Sequence, residues 1–317
     1  MSKDSRPKVR FVEVSPEEEG QRIDNYLVKK LKGVPKSRIY KMLRKGEVRV
    51  NKGRIKAEYK IEAGDSVRIP PVQVAERKQE VPVNLNVVQS LEDAIIHEDD
   101  RVIVLNKPSG MAVHGGSGMS FGVIEALRAL RPKAPFLELV HRLDRDTSGC
   151  LMIAKKRSAL RFIHKQLQEK TIKKRYWALV KGNWPAKLKF VDAPLKKHQV
   201  KSGERLVRVS EGGKPSLTSF RVIERFKDLS LVSAEPITGR THQIRVHAQS
   251  VGHGLIGDDK YGDDALNQEF KKQGLCDRLF LHAYSLEFKV KPDAKAIKVN
   301  APLPDNLEHT LRQLRKH

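Results

Sequence analysis

Between residues 70 and 82 the chain carries Pro70, Pro71 and Pro82 around the charged run ERKQE, and neither a helical nor an alternating apolar pattern passes through it. Proline fixes φ and offers no N–H, so helices and central strands both stop in such a stretch. The charged residues between the prolines have no apolar face to bury. Two separately cored parts are therefore expected, residues 20–80 and residues 81–317, and a chain of 317 residues is long enough to supply both cores.

The front part is small and basic. From Arg22 to Arg68 there are fifteen Lys and Arg against five Asp and Glu, so much of the chain's formal net charge of +24 meets a partner through this segment. RIDNYLVKKL places Ile23, Tyr26, Leu27 and Leu31 at helical spacing, and PKSRIYKMLRKG repeats the pattern with Ile39, Met42 and Leu43. Pro35 suits the start of the second helix and Gly46 its end. Lys36, Arg38, Lys41, Arg44 and Lys45 then form a basic stripe on the polar side. Alone, such a stripe is as often a solvated helix face as a binding surface; the charge density here favours nucleic acid, and these five residues are the candidate contacts to it. VRV reads as a strand, NKG as a turn, and GDSVRIP as a further strand with Val67 and Ile69 inward.

The second part mixes a few helices with many strands and lacks a βαβ rhythm, so the expected fold class is α+β, a small αα-β module followed by a larger domain on a mostly antiparallel mixed sheet. IIHEDDRVIVLNKP reads as two strands around an acidic turn, SFGVIEALRAL and SALRFIHKQLQEK as helices, and KRYWALVKG, LTSFRVIERF, LSLVSAEP, FLHAYSLEF and AIKVNAP as strands. The charged stretch from Lys187 to Lys214 reads as a hairpin or mobile insertion outside the core.

Several chemistries find no support. HGGSG lacks both the GxxxxGK[ST] and the GxGxxG context of a nucleotide cradle, so a flexible loop is expected. His114, His141, His242, His247 and His253 include no HExxH pair, and Cys150 and Cys276 make neither a zinc site nor a disulfide scaffold. Ser148 is not in GxSxG. No metal and no nucleotide cofactor are expected. The apolar runs are a few residues long and MSKDSRPKVR has no signal-peptide core, so the expectation is a soluble, cytoplasmic protein with no membrane partner.

Three elements are left: HRLDRDTSGCLMIAK, KKRYWALVKG and EPITGRTHQIRVHAQSVGHGLIGDDKYG. Singly, Asp144 reads as a turn former, Tyr176 as a core ring and Arg245 as the partner of any nearby acid. In this order, and preceded by NKPSGMAVH, they closely resemble the RluA family of pseudouridine synthases over most of residues 90–300. Residues 20–70 resemble the S4 RNA-binding module. The resemblance implies catalysis at Asp144, with Tyr176 and Arg245 beside it and Arg142 entering the RNA helix as the target base leaves. It also implies large-subunit (23S) ribosomal RNA as the partner of a monomer that uses no cofactor.

The chemistry fits those residue types. Uridine becomes pseudouridine when the N1–C1′ bond breaks, the uracil turns, and C5 joins the same sugar carbon. A carboxylate can form a covalent adduct or take a proton from the sugar while the base is detached, and both routes stay open. Arg245 would hold that carboxylate in place, and Tyr176 offers a ring on which an extruded uracil stacks. A non-catalytic RNA-binding assembly factor and an RNA N-glycosidase are the rival readings.

Overall fold

The two basic helices of the front part bury one face each. The computed structural model describes residues 9–31, 33–72, 86–115, 121–199 and 205–316. Its contacts divide into two units, residues 1–80 and 81–317. In the first, β1 (Arg10–Glu13) precedes α1 (Ile23–Lys30) and α2 (Lys36–Lys45), followed by β2 (Arg49–Val50), β3 (Gly53–Arg54) and β4 (Ser66–Ile69). Ile23, Tyr26, Leu27, Leu31, Ile39 and Met42 are almost fully buried and share a core with Val50, Val67 and Ile69 from the sheet. Pro35 immediately precedes α2, and Gly46 ends it at φ +69, its N–H bonded to the carbonyls of Leu43 and Met42. Asn51 and Lys52 both have positive φ, the conformation a two-residue hairpin needs between paired Val50 and Gly53. The four strands run antiparallel in the order β1, β4, β2, β3. Strand β1 was not expected: RFVE has only one residue that is not exposed, so it shows no alternation.

The second unit is built on a ten-stranded sheet. Helix α3 (Asn86–Asp93) leads into the hairpin β5 (Ile95–Glu98) and β6 (Val102–Lys107), and α4 (Val123–Leu130) and the short β7 (Glu138–Leu139) lead into β8 (Ser148–Ala154). Helix α5 (Arg157–Gln168) is followed by β9 (Lys173–Lys181) and β10 (Phe190–Asp192). The ribbon of β11 (Leu195–Gln199) and β12 (Arg205–Val209) stands apart as its own two-stranded sheet. β13 (Leu217–Arg225) and β14 (Leu229–Pro236) form a long hairpin, then come α6 (Gln243–Ser250), α7 (Asp264–Lys272), β15 (Leu281–Phe288), β16 (Ile297–Asn300) and α8 (Asp305–Leu314).

Along the sheet the order is β10, β13, β14, β9, β15, β8, β6, β5, with β16 on β15 and β7 on β8. Every pairing is antiparallel except that of β15 with β8, so the unit is α+β on a mostly antiparallel mixed sheet. All seven residues of SGCLMIA in β8 are buried, which explains why that stretch is a continuous apolar run rather than an alternating one.

The segment from Lys187 to Lys214 differs from its expectation in one respect. It does form a hairpin, but Leu195 and Val207 at its base are buried against Val246 and Tyr261, so that base belongs to the core. Its residues 200–204, the linker residues from 73 to 85, and Gly116 and Gly118 of HGGSG lie outside the described residues. Among the described residues no helix is long and apolar enough to cross a membrane, and no group of three His, Cys, Asp or Glu is placed to hold a metal ion.

Candidate active site

The loop before β8 turns on its own backbone and is then clamped from two sides. The Asp144 carbonyl accepts the Thr147 N–H at 3.2 Å, which reverses the chain, and Ser148 and Gly149 enter the parallel pairing opposite His282 and Ala283. Gly149 has φ +106, and a Cβ there would lie 2.4 Å from the Ala283 carbonyl oxygen, so only glycine fits between the two strands. Asp146 and Thr147 thus lie in the turn, whereas Ser148, which the TSG pattern would also place there, is the first residue of β8.

Lys107 is the main clamp. It is fully buried at the end of β6, and its Nζ donates to the carbonyls of Pro108 at 2.6 Å, Met111 at 2.8 Å and Arg145 at 2.9 Å. Burial pushes its pKa down to about 7, yet three acceptors match the three hydrogens of the ammonium form. The Gly110 N–H adds a second donor to the Arg145 carbonyl at 2.9 Å, and Ser109 Oγ donates to the Asp146 carbonyl at 2.8 Å. From the other side Arg278 Nη2 donates to Ser148 Oγ at 2.9 Å. The carbonyls of Arg145 and Asp146, which follow Asp144, are therefore held in place, and the Asp144 carboxyl stays 29 % exposed. His141 Nε2 accepts the Met152 N–H at 3.2 Å, and burial holds its pKa down to about 4, so it anchors the loop as a neutral ring.

The second wall comes from the turn between β14 and α6. Gln243 Oε1 accepts from Thr238 Oγ1 at 2.7 Å and from the Arg240 N–H at 3.0 Å, closing the turn over Gly239. This sets the first turn of α6 with Arg245 facing inward, its side chain 4 % exposed. Its shortest bonds run to Asp258, Nε to Oδ2 at 2.7 Å and Nη2 to Oδ1 at 2.6 Å, while Nη1 lies 3.8 Å from Asp144 Oδ2. The Tyr261 ring lies 5.0 Å from the guanidinium carbon. Burial opposes the Arg245 charge, but the bonds and charge of Asp258, and the charge of Asp144, hold its pKa above the ordinary arginine value. Arg245 thus comes within 4 Å of Asp144, but Asp258 at 2.6 Å and the exposed Asp259 at 3.5 Å both lie nearer to it.

Tyr176 sits in β9, between β14 and β15, with Ala234 as its neighbour across the ladder. Burial, with the charge of Asp144 adding to it, raises the pKa of its hydroxyl, which is a phenol at neutral pH. Asp144, Tyr176 and Arg245 all line one cavity of about 560 Å³, and Arg142, Lys174 and His242 line it with them. Arg142 is exposed at this cavity and Leu143 beside it is buried, so the arginine faces outward from an anchored loop. On α2, Lys36, Lys41, Arg44 and Lys45 are exposed as expected, whereas Arg38 is half-buried and paired with Glu47 at 3.2 Å. Arg44 also lines a groove with Tyr40, Arg54 and Lys56.

Sequence reasoning missed Lys107, His242, Asp258, Tyr261 and Arg278 as parts of this arrangement. NKP, RTHQIR and GDDKYG were visible as stretches mixing charge with apolar residues, but no spacing rule links a lysine on one strand to carbonyls of two loops.

Comparison with known proteins gives one family. A family profile described as RNA pseudouridylate synthase matches residues 101–250, and one described as S4 domain matches residues 21–67. The chain is 59 % identical over 310 residues to the ribosomal large subunit pseudouridine synthase C of Haemophilus influenzae, covering 97 % of this chain and 96 % of that one. It is 58 % identical over 315 residues to the protein of the same name from Escherichia coli K12, covering 99 % of each. Among solved structures, human RNA pseudouridylate synthase domain containing 4 is similar with a TM-score of 0.58 at 27 % identity, over 72 % of this chain and 95 % of that one.

Proposed function

The chain belongs to the RNA pseudouridylate synthase family, and on that premise we propose that it isomerises specific uridines of large-subunit ribosomal RNA to pseudouridine at Asp144. It is an RNA pseudouridine synthase with an S4 domain in front. The substrate reading rests on the names of its relatives, which share 58–59 % of their residues with it along nearly the whole chain. The reading of the site rests on one observation: a carboxyl on a clamped loop, in a cavity that also holds Tyr176 and the buried Arg245.

In this proposal the target uridine is flipped out of its helix at a cost of a few kcal/mol and its ring stacks on Tyr176. Arg142, exposed at the cavity, occupies the space the base vacates. Asp144 then acts on the sugar, by attack or by proton removal, while the N1–C1′ bond breaks and the uracil turns. When C5 has joined C1′ its proton leaves and N1 gains one, so atoms and charge balance without a redox partner. Arg245 keeps a fixed positive charge beside Asp144 throughout, itself held by Asp258. The 20–80 segment supplies affinity through Lys36, Lys41, Arg44 and Lys45 and the 81–317 segment supplies chemistry, as a monomer in the cytoplasm.

The test is to incubate wild type and Asp144→Asn with unmodified large-subunit RNA, map pseudouridine by carbodiimide-blocked primer extension, and chromatograph the small products. Pseudouridine from wild type alone, with no free uracil, supports the reading. Bound but unmodified RNA in both reactions identifies a non-catalytic factor, and free uracil identifies a glycosidase.

A further inference from the structure

His242 occupies a backbone position that imidazole does not choose for itself. It stands at φ +53 and ψ +19, left-handed, immediately before α6, in a region that costs a residue with a Cβ unless the surroundings hold it there. What its side chain gains is visible on both ring nitrogens. Nδ1 lies 2.8 Å from the Tyr261 hydroxyl, and Nε2 lies 3.8 Å from Asp144 Oδ2, the same oxygen that Arg245 Nη1 approaches at 3.8 Å.

The proton on the ring is fixed by what lies behind Tyr261. That hydroxyl accepts the backbone N–H of Val207 at 2.9 Å, and among the described residues His242 Nδ1 is its one acceptor. The phenol hydrogen therefore goes to Nδ1, which must be the lone-pair nitrogen, and the ring hydrogen must sit on Nε2, facing Asp144. Burial, the largest influence, and the charges of Arg245 and Lys260 lower the His242 pKa, outweighing Asp144 and Asp258, so the ring is neutral at neutral pH. Tyr261 is 6 % exposed and Val207 3 %, so this relay is shielded from solvent.

Resting on the reading of Asp144 given above, we infer that His242 is a positioning residue for that carboxylate and that Tyr261, held by the β12 backbone, sets its donor. Two N–H groups, one charged and one neutral, converge on Oδ2. That orients the carboxyl so that Oδ1 is the oxygen presented to the sugar. A separation of 3.8 Å is too long for a hydrogen bond in the free protein; the contact shortens when RNA fills the cavity and displaces water from the carboxyl.

Two isosteric variants separate this role from a structural one, because they rank in opposite orders. Glutamine places an amide N–H where Nε2 stands, whereas asparagine reaches only to Nδ1 but tolerates a left-handed backbone far better. Single-turnover release of tritium from C5-labelled large-subunit RNA by the full-length protein is the measurement, with RNA affinity and melting temperature followed beside it. His242→Gln is expected within about threefold of wild type, and His242→Asn and His242→Ala about tenfold or more below it, all with unchanged RNA affinity. Tyr261→Phe is expected to slow wild type about tenfold but to slow His242→Ala by less than about twofold, since the two residues act as one unit. Asparagine equal to or faster than glutamine, or Tyr261→Phe slowing both backgrounds alike, overturns the inference. Asp144→Asn is run in parallel: if it turns over, the reading of Asp144 fails and the positioning role falls with it, whereas a dead Asp144→Asn with a failed ranking removes only the inference about His242.

Discussion

Replacing Asp258 by asparagine separates the two carboxylates that share Arg245. The native Asp258 is fully buried and accepts four hydrogen bonds, two from Arg245 at 2.7 and 2.6 Å and two from the backbone N–H groups of Lys260 and Tyr261, both at 3.0 Å. Asparagine keeps one oxygen but turns an N–H against the other guanidinium nitrogen and removes the compensating charge. Breaking one side of a buried pair costs about 3–5 kcal/mol, and the low end is expected because half the acceptors survive. Arg245 then has two carboxylates left within 4 Å, Asp259 at 3.5 Å, 69 % exposed and screened by solvent, and the better-shielded Asp144 at 3.8 Å, 29 % exposed. With an effective dielectric of about 20, their attraction is about 4 kcal/mol at the present 3.8 Å and about 6 kcal/mol at a hydrogen-bonded 2.8 Å. The guanidinium is therefore expected to close onto Asp144 and hold it out of reaction, and the difference of roughly 1–2 kcal/mol corresponds to a rate loss on the order of tenfold. Urea denaturation gives the first quantity, and single-turnover pseudouridine formation at 25 °C, with RNA affinity measured separately, gives the second. A variant with wild-type stability and wild-type rate would refute the claim that Asp258 holds Arg245 off the reactive carboxylate.

Three further outcomes follow from the same geometry. Lys107→Met leaves the carbonyls of Pro108 and Met111 without their donor and that of Arg145 with the Gly110 N–H alone, and is expected to lower unfolding free energy by about 3 kcal/mol in urea, with a rate loss because Arg145 adjoins Asp144. His282 is fully buried and neutral, with burial holding its pKa down to about 4 against an ordinary 6.5. The unfolded chain thus binds a proton first as pH falls, so the His282 contribution is fully present above about pH 6.5, declines below it, and is down by about 2 kcal/mol at pH 5, with His141 adding a loss of the same sign; denaturation of wild type and His282→Gln at pH 7 and pH 5 checks this, the variant losing less by about that amount. Tyr176→Phe keeps a stacking face and is expected to retain far more single-turnover activity than Tyr176→Ala, which gives up about 1–3 kcal/mol of base stacking; equal losses would point instead to the hydroxyl.

How much of this was legible in the sequence depended on whether a residue's partners were local. The helices of the front unit were, because Ile23, Tyr26 and Leu27, then Ile39, Met42 and Leu43, repeat at helical spacing and really are the buried faces. The apolar run LMIA and the turn residues Asp146 and Thr147 before it stood out, although the strand begins two residues earlier than a turn-rich TSG suggests, at Ser148. Strand β1 was not, since three of its four residues are exposed, and α7 was not, since among its residues only Phe270 is buried and no stripe results. At the site, the three elements that carry Asp144, Tyr176 and Arg245 stood out as a set, and the fold brings them to one cavity. Which acid would hold Arg245 was not readable: Asp144, Asp258 and Asp259 all come within 4 Å of it, and only packing decides that Asp258 takes the bidentate place. Lys107 was hidden for a related reason, because a lysine is ordinarily exposed and its burial depends on three carbonyls supplied by two separate loops.

The most direct measurement of the central claim is the pseudouridine map of large-subunit RNA from cells lacking this protein, complemented either with wild type or with Asp144→Asn. A set of uridines should be unmodified in the deletion strain, restored by the wild-type chain, and left unmodified by an Asp144→Asn chain of equal abundance that still binds the RNA. Restoration of those sites by Asp144→Asn would contradict the assignment of the reaction to the Asp144 carboxylate.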